Sequence, residues 1–190
     1  MQTQRMLSMN NPGGLIDNPN FAKWFGKSKA IGAGGRPLML YHGNDEVFDV
    51  FQPNPGGHFG KGIYLTTQLA DARKYQTQGN PLLLHARVEN PFVTTANYAE
   101  AEKYDLEYAG LPMIQALFPD RLPEFITRLV YEDRTVEDDI QSRLIELGHD
   151  GVCVKWNDFL THYVLFEPTQ IKSASANNGE FNLLDPHIYR

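Results

Sequence analysis

The chain has 190 residues, a net charge of −6 at neutral pH and one cysteine. A chain of this length can bury about two-thirds of its unfolded surface in one domain, and a single cysteine excludes an internal disulfide. The acidic balance, without any long cluster of Lys and Arg, argues against a general grip on nucleic-acid phosphates.

Signals for membrane insertion and export are not found in the sequence. No apolar run approaches the roughly 20 residues of a membrane span, and the N-terminus lacks the apolar core of a signal peptide. We therefore expect a cytoplasmic protein without a membrane partner, acting in the producing, host or target cell.

The N-terminal region predicts a short lead-in and then one domain. Residues 1–17 are polar around an Asn-Asn-Pro-Gly-Gly run and predict a mobile segment, which leaves 18–190 as a single domain. Asn18 predicts the N-cap of a short helix with Pro19 in its first turn. Three aromatic residues follow at helical spacing and are expected to pack on the core: Phe21, Trp24 and Phe25.

Three apolar stretches predict the first strands of a buried sheet, at 37–42, 62–65 and 81–88. After the second stretch, a threonine at position 66 or 67 predicts a helix cap, and the helix that follows carries Tyr75 in its last turn. The Gly/Pro-rich loop at 53–57 is either a lid over a ligand or a plain surface connection.

The second half of the chain predicts helices and then two strands. Helices are expected from Asn97, after Pro112 and after Pro123. A clearer helix begins at Thr135, with Gly148 as its stop. Its apolar stripe is Val136, Ile140, Leu144 and Leu147. The two strands are predicted at 151–155 and 162–167, joined by the polar turn 156–158.

The glycines of this chain do not fit the common nucleotide-binding motifs. Gly56 lies too close to Gly60 for a phosphate-binding P-loop, and Lys61 is followed by glycine where the motif requires a hydroxyl residue. The glycines at 32–35 miss the dinucleotide spacing and precede a strand where the motif must follow one. Both motifs are excluded.

Two tyrosines, Tyr64 and Tyr75, are expected on rigid elements at one cleft, where paired aromatics can make a slot for a flat ring. The stretch 59–75 resembles the ADP-ribosyltransferase fold in its diphtheria-toxin and poly(ADP-ribose) polymerase branch, which has Gly-x-Tyr and a second tyrosine eleven residues later. Leu-Tyr-His-Gly at 40–43 resembles the first strand of that family. The run from Tyr-Val-Leu-Phe to Ile-Lys-Ser-Ala at 163–174 is similar to a signature of bacterial and phage members.

The resemblance implies an α+β fold, with two packed, mainly antiparallel sheets that form an NAD cleft and are surrounded by helices. It implies a mono-ADP-ribosyltransferase that uses NAD as a substrate to modify a macromolecular acceptor, as a toxin, effector or phage anti-defence protein. A protein acceptor is favoured over nucleic acid, and a monomer is expected. An NAD glycohydrolase and an inactive pseudoenzyme that binds NAD or a partner stay open as alternatives.

The resemblance also assigns roles to individual residues. His42 corresponds to the histidine that hydrogen-bonds the adenosine ribose. Gly43 corresponds to the glycine whose backbone meets the nicotinamide carboxamide, where a Cβ would hold the ring away. Tyr64 lines the nicotinamide pocket, and Tyr75 stacks on the nicotinamide ring.

Position 162 departs from the family pattern, because His162 stands where the family has a glutamate that binds the ribose and polarises the acceptor. Histidine can hydrogen-bond a hydroxyl but supplies no fixed negative charge. Asp158 and Glu180, both on predicted loops, are geometrically possible substitutes. Two further NAD contacts are candidates: Lys61 to the pyrophosphate, and Thr66 or Thr67 to the nicotinamide carbonyl, in place of a family hydroxyl at the position of Ala72.

Overall fold

The computed structural model describes residues 15–190, so the predicted lead-in lies outside the described residues up to position 14. Contacts divide the chain into two compact units. The first unit takes the described residues up to Gln52, together with Leu65–Glu89 and Glu167–Arg190. The second unit takes Pro53–Tyr64 and Asn90–Phe166.

The first unit begins with helix α1 (Pro19–Phe25), as the sequence predicts. The Asn18 side chain accepts a hydrogen bond of 2.8 Å from the backbone N–H of Asn20, which satisfies one of the free donors at the helix start. The three predicted aromatic residues of α1 are buried and pack with Phe181. This contact joins the helix to the C-terminal segment.

The strands of the first unit pair antiparallel in the order β2-β1-β3-β7. They are β1 (Leu40–His42), β2 (Ile63–Thr66), β3 (Leu82–Ala86) and β7 (Ile171–Ser173). The boundary between the units falls within β2, between Tyr64 and Leu65. Helix α2 (Leu69–Ala72) and a 3₁₀ turn, Arg73–Tyr75, follow β2.

A buried lysine ties the C-terminal segment to β7. Lys172 is completely buried, and its Nζ donates hydrogen bonds of 2.7 and 2.8 Å to the backbone carbonyls of Asp185 and His187. Burial lowers the pKa of Lys172 to about 8, because a low-dielectric surrounding disfavours the charged form. The carbonyl partners offset part of this cost and hold the tail in place.

The second unit has four neighbouring strands in the order β4-β5-β6-β2. They include β4 (Phe92–Thr95), β5 (Gly151–Lys155) and β6 (Thr161–Leu165). β5 and β6 are antiparallel, whereas β4 and β5 are parallel. The sequence predicts β5 and β6 but not β4.

Four helices surround the core of the second unit: α3 (Tyr98–Glu102), α4 (Leu111–Leu117), α5 (Leu122–Val130) and α6 (Val136–Glu146). Each begins near a predicted start, and the Asn97 side chain caps α3. Val136, Ile140 and Leu144 are fully buried, which confirms the stripe of α6. The prediction that Leu147 belongs to the stripe is wrong, because Leu147 follows the helix end and is 47% exposed.

The predicted α+β class with mainly antiparallel strands is confirmed. Among the strand pairs of residues 15–190 with a described register, β4–β5 is the parallel one. None of the helices in the same residues has the length and apolar character needed to cross a membrane.

Candidate active site

The end of β1 presents His42 with its ring held by two phenylalanines. The His42 and Phe51 ring centroids are 4.9 Å apart and the planes are nearly perpendicular, at 87°. Phe48 makes a second edge contact at 6.3 Å. His42 is half-buried. These contacts set the plane of the imidazole, which suits a residue that must direct a hydrogen bond.

Gly43 is required by a close backbone contact inside the first unit. A Cβ at this position would lie 1.9 Å from the carbonyl oxygen of Ala72 and 3.4 Å from the Oε1 of Gln76. Any larger residue would push the end of β1 away from the last turn of α2. The glycine therefore brings the His-Gly strand end to the segment that carries Tyr75.

Tyr75 projects from the 3₁₀ turn after α2 and is 67% exposed. A large aromatic ring exposed to this extent offers its face for stacking on a planar ligand. The sequence also predicts Tyr75 in the last turn of the helical segment that follows β2.

Thr66, another predicted NAD contact, is buried at the end of β2. Its Oγ1 accepts a hydrogen bond of 3.2 Å from the backbone N–H of Gln68, and Gln68 is the N-cap of α2. Neither threonine is therefore the N-cap, although Thr66 stabilises the approach to the helix.

Tyr64 belongs to the second unit, where its hydroxyl is bound to the preceding loop. The hydroxyl donates a 2.6 Å hydrogen bond to the Gly60 carbonyl and accepts one of 3.2 Å from the Phe59 N–H. A Cβ on Gly57 would lie 2.4 Å from the same oxygen. The hydroxyl is thus committed to the loop, and a stacking role falls to the ring.

Lys61 forms an ion pair of 3.0 Å with Asp138 on α6, and both side chains are partly exposed. Exposed pairs of this kind contribute less than about 1 kcal/mol. A ligand phosphate could therefore replace Asp138 at small cost, so the ion pair does not conflict with the predicted pyrophosphate contact.

His162 lies on β6 and accepts a hydrogen bond of 3.0 Å at Nδ1 from the indole N–H of Trp156. Because an indole nitrogen can only donate, Nδ1 must be unprotonated, and a neutral ring carries its proton on Nε2. His162 is therefore arranged as a neutral donor through Nε2. Protonating Nδ1 would break the bond to Trp156.

The sequence gives no sign of a buried polar cluster beside Tyr64. Glu137 and Tyr108 are 9% and 6% exposed, and the Glu137 Oε2 and the Tyr108 hydroxyl have no hydrogen-bond partner within residues 15–190. Burial raises the pKa of the Glu137 carboxyl. Burial also raises the pKa of Tyr64 and of Tyr108, and the Glu137 charge adds to both shifts.

The position of Glu137 hides this cluster from sequence analysis. An acidic residue in the first turn of α6 is expected at the surface, where it interacts well with the helix dipole. The one sign in the sequence that Glu137 is buried is its position directly after Val136, where the buried stripe of α6 begins.

The comparison with family models decides the family. The model of the family described as ADP-ribosyltransferase in polyvalent proteins matches residues 32–181, which is most of the chain. The chain belongs to this family. The ADP-ribosyltransferase match spans β1 through β7 and includes His42, Tyr75 and His162. Comparisons with curated proteins and with solved structures returned no match.

Replacing Glu137 by glutamine is expected to raise the free energy of unfolding at pH 7 by about 1 kcal/mol, since burying an ionised carboxylate, one oxygen of which has no partner within residues 15–190, costs more than burying a neutral amide. The folded-state pKa of Glu137 lies above its usual value of 4.5. Its contribution to stability is therefore present below the unfolded-state pKa and lost as the pH rises through the folded-state pKa. Urea unfolding at pH 4 and pH 7 should show the gain mainly at pH 7.

Asp138→Asn is the matched control for Glu137→Gln. Asp138 is the next residue on α6 but is half exposed and paired with Lys61. It should change stability by less than about 0.5 kcal/mol. A Glu137→Gln protein less stable than the wild type at pH 7 would contradict the prediction, because the carboxylate would then have an effective partner.

Proposed function

We propose that this ADP-ribosyltransferase family member is an active, NAD-dependent mono-ADP-ribosyltransferase that modifies a macromolecular acceptor, a protein in preference to nucleic acid. The observation that carries the proposal is the first-unit arrangement of Gly43 against Ala72 with Tyr75 exposed on the adjoining turn. It joins a histidine whose ring plane is set by two phenylalanines, a glycine packed against the turn that carries Tyr75, and an open aromatic face. These features suit a flat ring and a hydrogen-bonding ribose hydroxyl.

The reaction requires the bond between the ribose anomeric carbon and the nicotinamide nitrogen to break. Nicotinamide leaves as a neutral ring with the bonding electron pair, and the ribose carbon becomes electron-poor before an acceptor nucleophile bonds to it. In the proposal, Tyr75 holds the nicotinamide ring and His42 hydrogen-bonds the adenosine ribose. Holding the leaving group and the adenosine end of NAD in fixed positions orients the bond that breaks and so lowers the barrier.

We also propose the NAD contacts predicted for Tyr64, Lys61, Thr66 and His162. Tyr64 matches the family motif, whereas His162 stands at the position of the family's glutamate. His162 would donate from Nε2 to a ribose hydroxyl, in keeping with its hydrogen bond to Trp156. The acceptor nucleophile would then lose its proton to solvent, because Nδ1 already accepts a hydrogen bond from the Trp156 indole N–H and Nε2 carries the ring's proton.

A second candidate function is binding without turnover, and His162 is the observation that favours it. A neutral imidazole held by Trp156 supplies no negative charge to an electron-poor ribose. Hydrolysis of NAD is the remaining alternative, in which water takes the place of the macromolecular acceptor.

The proposed setting is the cytoplasm of a producing, host or target cell, where the protein acts as a monomeric toxin, effector or phage anti-defence protein. Two observations support it. The matched family is described from polyvalent proteins, and the segment at 163–174 is similar to a signature of bacterial and phage members.

The test uses the purified chain, NAD labelled in its adenylate portion and a protein extract as the source of acceptors. We expect nicotinamide release together with label in the acid-precipitated protein. That label should remain after nuclease treatment and be lost on proteolysis. Release without labelled macromolecule would indicate a glycohydrolase. NAD binding without release would indicate the inactive binder, and nuclease-sensitive label would indicate a nucleic-acid acceptor.

A further inference from the structure

The loop after β1 carries a carboxylate that holds the segment following the Tyr75 turn. Asp45 Oδ1 accepts hydrogen bonds from the backbone N–H groups of Thr77 and Gln78, at 2.8 and 3.1 Å. Asp45 Oδ2 accepts from the Thr77 hydroxyl at 2.7 Å and from the Thr77 N–H at 3.0 Å. One side chain thus fixes two consecutive residues of another loop.

The bonding pattern favours the ionised form of Asp45. The Thr77 hydroxyl bond, followed by the backbone bonds, lowers the pKa of the Asp45 carboxyl below its usual value. Hydrogen bonds to an ionised acceptor are shorter and stronger than neutral ones. The contact is therefore retained at neutral pH, although Asp45 lies at the surface.

This contact and the Gly43 contact bracket Tyr75. The Gly43 backbone lies against the carbonyl of Ala72, three residues before Tyr75. Asp45 holds Thr77, two residues after Tyr75. The segment that directly follows His42 therefore restrains the turn carrying Tyr75 from both sides.

Restraint of this kind has a clear use for an exposed ring. Tyr75 is 67% exposed, so its position depends mainly on the backbone of its three-residue turn. A free loop must lose conformational entropy when a ligand binds, whereas a loop ordered in advance does not. The same restraint fixes the distance from the ring to the end of β1.

We propose that Asp45 is a positioning residue that forms the nicotinamide slot before NAD binds, by holding Tyr75 in register with His42 and Gly43. The inference rests on the proposed NAD-dependent function and adds a determinant outside the family motifs. Asp45 acts through Tyr75 and does not contact NAD. Its loss affects binding of the ring more than the chemical step.

The test compares Asp45→Ala with Asp45→Asn and with Glu46→Ala. The Ala variant should raise the KM for NAD about tenfold with kcat changed less than threefold, since it removes preorganisation and not chemistry. The Asn variant keeps an acceptor oxygen and should recover part of the loss. Glu46→Ala removes the same charge one residue further along the exposed loop and should behave as the wild type.

A double variant with Tyr75→Ala separates positioning from a general structural role. If Asp45 acts through Tyr75, Asp45→Ala should add less than twofold to the KM of the Tyr75→Ala protein, because coupled residues are not additive. Hydrogen exchange at the Thr77 and Gln78 amides should be faster in the Asp45→Ala single variant than in the wild type. The inference would be overturned if Asp45→Ala raised KM by the same factor in the wild-type and the Tyr75→Ala proteins, or left KM unchanged in the wild type. The NAD-dependent function would stand in either case. A wild-type protein that neither binds nor turns over NAD would overturn both.

Discussion

Replacing Tyr75 by alanine is expected to lower kcat/KM for NAD more than tenfold while the fold stays intact. The ring is 67% exposed in the structure, so its loss removes little packing and should change stability by less than about 0.5 kcal/mol. Its value arises on binding, where stacking contributes about 0.5–1.5 kcal/mol beyond the burial of the two ring faces. Steady-state nicotinamide release and thermal unfolding, measured on the same preparation, check both parts.

Two controls make the Tyr75 experiment specific. Tyr75→Phe keeps the ring and should retain most of the activity. Tyr131→Ala removes a tyrosine that is even more exposed, at 80%, and lies in the second unit; it should leave kcat/KM unchanged. His42→Ala, like Tyr75→Ala, is expected to lower kcat/KM for NAD more than tenfold. Full activity in both Tyr75→Ala and His42→Ala would remove these residues from the site.

The sequence predicts the elements whose signals are local. The α1 start is marked by Asn18 and Pro19, side by side, and the α6 stripe repeats within one helix. β4 lacks such a signal, because it has only four residues and its parallel partner, β5, begins far along the chain at Gly151. The pairing that makes β4 a strand is therefore invisible to local analysis.

Buried polar residues mark a second limit of the sequence. Lys172 reads as a surface residue until the tail carbonyls that accept its hydrogen bonds are in place. Glu137 reads as a favourable first-turn acid, yet it is buried beside Tyr64 and Tyr108. In both cases the deciding contact comes from residues distant in the chain.

The candidate site also combines residues that the sequence predicts with contacts that only the structure shows. The family resemblance predicts His42, Gly43 and Tyr75 as site residues, but the backbone contact of Gly43 with Ala72 is found only in the structure. The partner of His162 is likewise a product of the fold, since the two strands of the β5–β6 pair bring Trp156 and His162 together. That partner is what determines the tautomer of His162 and therefore its chemistry.

Substituting His162 by glutamate is expected to increase nicotinamide release at least tenfold over the wild type in the presence of acceptor extract. A carboxylate would place a fixed negative charge at a position where histidine is held neutral, and an electron-poor ribose is stabilised by such a charge. Glutamate also offers an oxygen to the Trp156 N–H, so the local fold can be kept. Initial rates of release at saturating NAD measure the change.

His162→Gln is the control that separates charge from hydrogen bonding, because glutamine keeps an acceptor for Trp156 without a negative charge, and it should show no gain. Release by the wild type would make His162 a working residue in a transferase that operates without a carboxylate at this position. Silence in the wild type with activity gained in His162→Glu would instead mean an intact NAD site disabled at one residue, and binding without turnover would become the function of the native chain. Silence in both, with NAD bound, would place the missing group elsewhere than position 162, and the next residue to substitute would be Glu137, whose Oε2 has no hydrogen-bond partner within residues 15–190.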